Sequence, residues 1–93
     1  KMDLVAEVPA AQPDRRAWVS VTPFGDSQYA VIYSEIAADK VEEVKNSWDD
    51  DLYLLDRQHV NVTGEAELEH VLRQWLDDLE KLVQPGFCED YPF

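Results

Sequence analysis

Leu68, Val71, Leu72, Trp75, Leu76, Leu79, Leu82 and Val83 recur at the three- and four-residue intervals that place side chains on one side of a helix. No other feature of the 93-residue chain constrains its fold as strongly, because an apolar stripe of this size demands an equally apolar surface to cover it. The spacing predicts a helix from Thr63, as N-cap, to the stop at Pro85-Gly86, with Glu65 and Glu67 in its first turn to complement the dipole.

The covering surface is predicted upstream. Val19, Val21 and Thr22 are β-branched and argue for a strand over Ala17–Phe24, with Pro23 marking an edge or a bend. Gly25-Asp26-Ser27 supplies turn chemistry before a second strand over Tyr29–Ile36. Ala37, Val41, Val44 and Trp48 then fall on one side of a helix over residues 37–48. Leu52–Asp56 and His59–Val62 read as two short strands around Arg57-Gln58, a turn without Gly or Asn; one longer bent strand serves as well. The expected class is α+β, in the order ββαββα: a small antiparallel sheet of about four strands with two helices packed on one face.

Ninety-three residues make one domain. Residues 1–16 are expected to be an N-terminal arm carrying a short strand at Leu4–Val8, residues 17–84 the domain, and residues 85–93 an aromatic and acidic tail. Beginning at Lys points to a processed chain or an excised piece, and Lys1–Pro13 lacks a signal peptide's basic end and apolar stretch. A single cysteine, Cys88, forms no internal disulfide, and no apolar run approaches membrane-spanning length. The expected location is the cytoplasm.

Charge bounds the function. Twenty acids stand against eight bases, a net of −12; residues 49–93 hold 12 acids and 3 bases, residues 1–48 hold 8 and 5. Such a chain should repel nucleic acid, whose phosphates need a basic patch, and Arg15-Arg16 is the longest run of bases. Self-repulsion on this scale usually serves solubility or electrostatic steering.

Motifs for chemistry are weak. Asp49-Asp50-Asp51 with Asp56 lacks the central Gly and alternating oxygen ligands of a calcium loop. One Glu-x-x-His, Glu67 to His70, falls short of a di-iron bundle, and His59, His70 and Cys88 have no zinc spacing. No serine or cysteine sits in a nucleophile elbow, and three glycines make no phosphate loop. The expectation is therefore no catalytic residue, no metal and no cofactor.

Surface recognition remains. Glu69, Arg73, Asp77 and Lys81 alternate in sign at i, i+4 and can neutralise one another along a helix. Asp49, Asp50, Asp51, Glu89 and Asp90 have no basic neighbour, and with Asp56, which precedes Arg57, they are the acids expected to meet a partner. On the second strand Ala30, Ile32, Ser34 and Ile36 share one face, expected to lie under the helices. Tyr29, Val31 and Tyr33 share the other, expected to be open with Trp18 and Tyr53 beside it. Tyrosine and tryptophan ringed by carboxylates suit a contact surface, although the same rings could complete an ordinary core.

The expected function is a small acidic protein-binding module that masks a basic surface. It would act as an inhibitor: an immunity protein or antitoxin against a nuclease, or a mimic of nucleic-acid charge. The competing expectation is a structural protein, such as an acidic secretion chaperone, an accessory subunit or an excised interaction domain; a small enzyme comes last.

Overall fold

The computed structural model describes residues 3–46, 54–88 and 91–92. Its frame is a four-stranded antiparallel sheet in the order β1-β2-β3-β4, formed by Leu4–Val8, Arg15–Gly25, Gln28–Ala37 and Leu54–Thr63. Two helices complete it: α1 over Val41–Lys45, preceded by a 3-10 turn at Ala38–Lys40, and α2 over Glu65–Leu72. The class is α+β, but the element order is βββαβα rather than ββαββα.

Two differences explain the order. Leu4–Val8 pairs along its whole length with β2, Val8 opposite Ala17 and Leu4 opposite Val21. Residues 54–63 form one strand, pairing from Leu54 opposite Ile36 to Thr63 opposite Gln28, so the longer bent strand is the form taken. Arg57-Gln58 lacks the left-handed residues a two-residue hairpin requires, and the backbone runs straight through them. The bend is a register shift at Glu35/Ile36. The hairpin between β2 and β3 turns at Asp26-Ser27, with Ser27 at φ 59, and a second register shift lies at Pro23/Gly25.

Alternation along β2 divides the interior in two. Ala17, Val19 and Val21 join Ala6, Val8, Val31, Tyr33 and Val62 beneath Val71, Leu72 and Leu76. Trp18, on the opposite face, clusters with Ile36 and with Val41 and Val44 of α1, and Leu54, Cys88 and Tyr91 pack around them. The helices therefore lie on opposite faces of the sheet, not on one. The tyrosine face is the one α2 covers, because the broad rings of Tyr29 and Tyr33 fill the space under the apolar stripe.

The stripe itself is buried as its spacing demands, but by a different backbone path. Helix α2 ends at Leu72, the last residue of its apolar Leu68, Val71 and Leu72 face, and Trp75 and Leu76 are held by turns onto the Leu72 carbonyl. Asp77 and Asp78 would stand mid-helix on the longer path. Asp78 instead accepts the Glu80 amide at 3.0 Å and caps a 3-10 turn over Leu79–Lys81. At the other end Gly64, not Thr63, is the N-cap. It has no side chain to offer, and Glu67 reaches back to accept the Thr63 amide. Likewise α1 spans five residues, with only Val41 and Val44 of the predicted stripe described in it.

Beyond the 3-10 turn, Val83 exchanges both backbone hydrogen bonds with Val5, at 2.7 and 2.9 Å, and closes the outer edge of β1. The chain then passes to the second face, where Cys88 and Tyr91 pack. No helix among the described residues is long and apolar enough to cross a membrane.

Candidate functional site

The face under α2 has two ends of different character. At the end nearer the β1–β2 connection a carboxylate is sealed inside. Glu35 is 1% exposed. It accepts hydrogen bonds from the Tyr33 hydroxyl at 2.6 Å, the Arg15 guanidinium at 2.7 Å and the Ala11 amide at 3.4 Å. The register produces this arrangement: Tyr33 and Glu35 lie two apart on one face of β3, opposite Val19 and Ala17. Burial alone pushes the Glu35 carboxyl up, but the bonds from Tyr33, Arg15 and Ala11 outweigh it and hold the group below the usual carboxylate range. The same burial, with the adjacent carboxylate, drives the Tyr33 hydroxyl up. Trp75 stacks on the Tyr33 ring at 5.2 Å and 15°. An acid so enclosed ties strand to connection and offers nothing to a ligand.

The other end, toward the β2–β3 hairpin, is open. A groove of about 350 Å³ is floored by two cross-strand pairs, Leu4 with Val21 and Pro23 with Tyr29. Leu68 and Leu72 of α2 form one wall, and Leu79 and Leu82 of the following segment the other. Two carboxylates, Glu65 and Glu69, stand on the helix side. Glu69 accepts from Arg73 at 2.8 Å. Such a volume lies within the range of clefts that take a ligand or an anchoring side chain. Apart from Tyr29 and the two carboxylates its lining is aliphatic, a surface suited to an apolar group. No group of three His, Cys, Asp or Glu among the described residues is placed to hold a metal.

The residues singled out from sequence scatter over the molecule. Tyr29 is half-buried and lines the groove. Tyr33 and Trp18 belong to the two interiors, at 4% and 1% exposure, so neither lies on an open face. The Arg16 guanidinium lies 5.2 Å over the Trp18 ring while donating twice to Glu7 at 2.7 Å. Asp56 is exposed on β4, directly opposite Glu35 across the ladder. Asp49, Asp50, Asp51, Tyr53, Glu89 and Asp90 lie outside the described residues.

Sequence reasoning passed over Glu35 and Arg15. The signal was present: Glu35 is the only acid within the apolar strand Gln28–Ala37, and a buried acid requires a partner. The groove left no sequence signal, because Leu79 and Leu82 reach it only after the helix stops. Comparison with protein-family models, with curated proteins and with solved structures finds no significant match to this chain.

Proposed function

We propose that this chain is a small acidic protein-binding module that covers a basic surface of a partner protein. Its biological form is an inhibitor acting in the cytoplasm: an immunity protein or antitoxin against a nuclease, or a mimic of nucleic-acid charge. One observation carries the reading. Arg15, Arg16, Lys45, Arg73 and Lys81, five of the eight bases, are each engaged by an acid of the same chain: Glu35, Glu7, Glu42, Glu69 and Asp77. Fifteen of the twenty acids stand outside those pairs, against three remaining bases. A surface with most of its cations already answered attracts cationic partners and repels anionic ones.

Masking works by substitution. Carboxylates take the places of phosphates at the partner's lysines and arginines, and the long-range field steers the encounter. Asp49, Asp50, Asp51, Asp56, Glu89 and Asp90 are the acids assigned to that surface, with Tyr29 and Tyr53 as aromatic contacts. Trp18 and Tyr33 support it from the interior.

The test is affinity capture from a lysate at low and moderate salt, followed by an assay of the captured protein's nucleic-acid binding or cleavage with and without this chain. One basic partner that is retained and inhibited supports the reading; no basic partner, or one left fully active, overturns it. Replacing Asp49, Asp50 and Asp51 together by Asn should leave thermal unfolding unchanged and slow association by about tenfold or more. Stopped-flow rates equal to wild type would remove that run from the surface.

A further inference from the structure

We infer that the open groove beside α2 seats an apolar side chain carried on a lysine- or arginine-bearing segment of the partner protein, an inference that rests on the masking function proposed above. The groove offers Leu4, Val21, Tyr29, Leu68, Leu72 and Leu82 to one opening. Leu4 remains 37% exposed there. Removing such a surface from water is favourable for any apolar occupant, so shape and apolarity alone name none.

Charge narrows the choice. Glu65 and Glu69 stand on the helix side of the opening, and Glu65 has no cationic partner among the described residues. Glu69 shares its charge with Arg73. An occupant whose apolar group is flanked by a cation gains at Glu65 while its side chain fills the groove. A second copy of this chain would bring another net −12 to the same place and is disfavoured by repulsion. The division of labour is that of a steered complex: exposed acids set the rate of encounter, and one desolvated anchor sets the lifetime.

The experiment uses the full chain with labelled leucine and valine methyl groups, observed by NMR. Three soluble probes are titrated in: a peptide alternating leucine and lysine, its counterpart alternating leucine and glutamate, and polylysine. The leucine–lysine peptide is expected to bind saturably, to shift the methyl signals of Leu68, Leu72 and Leu82, and to bind about tenfold more tightly than polylysine. The leucine–glutamate peptide should leave those signals in place. Glu65→Gln, a surface change, should weaken the leucine–lysine peptide severalfold without altering the free spectrum beyond α2. Leu68→Gln should abolish the methyl shifts.

Equal binding of polylysine and the leucine–lysine peptide, with silent groove methyls, overturns the anchor and leaves masking by charge standing. Equal groove shifts from the glutamate peptide, or full displacement by n-octanol, identify an apolar small-molecule cleft and overturn it. Methyl shifts on concentrating the free protein identify a second copy and overturn it too. A captured basic partner that is inhibited without touching the groove defeats this inference alone, whereas no partner and no peptide binding defeats both.

Discussion

The two ends of the face beneath α2 are built from the same strands and finished in opposite ways. At one end a carboxylate is taken inside and fully answered by Tyr33, Arg15 and the Ala11 amide. At the other, two carboxylates stand at the rim and the space between sheet and helix is lined mainly by aliphatic groups with the Tyr29 ring. The first end is polar and closed, the second apolar and open. A small domain with so many acids can internalise one only where the register delivers both donors, whereas an unfilled apolar end is tolerated because it costs no unmatched charge. Rigidity and capacity to bind are thus divided between the ends.

The sharpest way to break this contrast is at the sealed end. Trp75→Ala removes the ring stacked on Tyr33 and should cost about 3–5 kcal/mol in urea unfolding; a cost below about 1 kcal/mol would show that the stack does not close that end. Glu35→Gln should cost about 1–3 kcal/mol at neutral pH, at the lower end if the 27% exposed Arg15 finds water instead. Its pH dependence is more telling. Glu35 titrates lower folded than unfolded, so its stabilisation is complete above the ordinary carboxylate value of about 4.3 and drains as pH falls through the lowered one. The variant should therefore lose less stability than wild type as pH falls below about 4, and identical acid limbs would contradict a buried ionised Glu35.

A third substitution tests the hinge that sets α2 over both ends. Gly64 holds φ 85 and ψ 154, a region essentially confined to glycine, and nothing lies within 4 Å of where a Cβ would sit. Gly64→Ala should cost about 1–3 kcal/mol through the backbone alone, and methyl spectra should show both ends displaced together. Smallest of all is the open end. Leu4→Ala should cost less than about 1 kcal/mol, since the side chain is already partly in water, and a larger loss would mean that the groove closes in solution.

Which residues go inside was more legible than how the backbone takes them there. Leu68, Val71, Leu72, Trp75, Leu76, Leu79 and Leu82 all pack on the sheet, as their spacing demands, yet only the first three lie in α2. Periodicity reports the direction of burial, and a helix followed by turns preserves that direction for a few residues. The two strands of the central hairpin were readable from their β-branched residues and the turn between them, whereas Leu4–Val8, without a clean period, was legible only as a short strand on an arm. Which face α2 would choose was not readable, because Tyr29 and Tyr33 suit an open surface and a covered one equally until Glu35 claims a hydroxyl. The Glu35–Arg15 pair joins residues twenty apart through a register that no local pattern states.

Val83 zipped onto Val5 makes the last part of the chain a neighbour of the first. During synthesis β1 and β2 emerge early, but β1 keeps a bare edge, and the Trp18 side keeps a gap, until the residues through Tyr91 clear the ribosome. Closure of that edge thus waits for residues that follow α2. A chain cut short after α2 would lack Trp75, Leu76, Leu79 and Leu82 from its core and the Val83 segment that closes the sheet, which makes incomplete copies candidates for proteolysis rather than partial function.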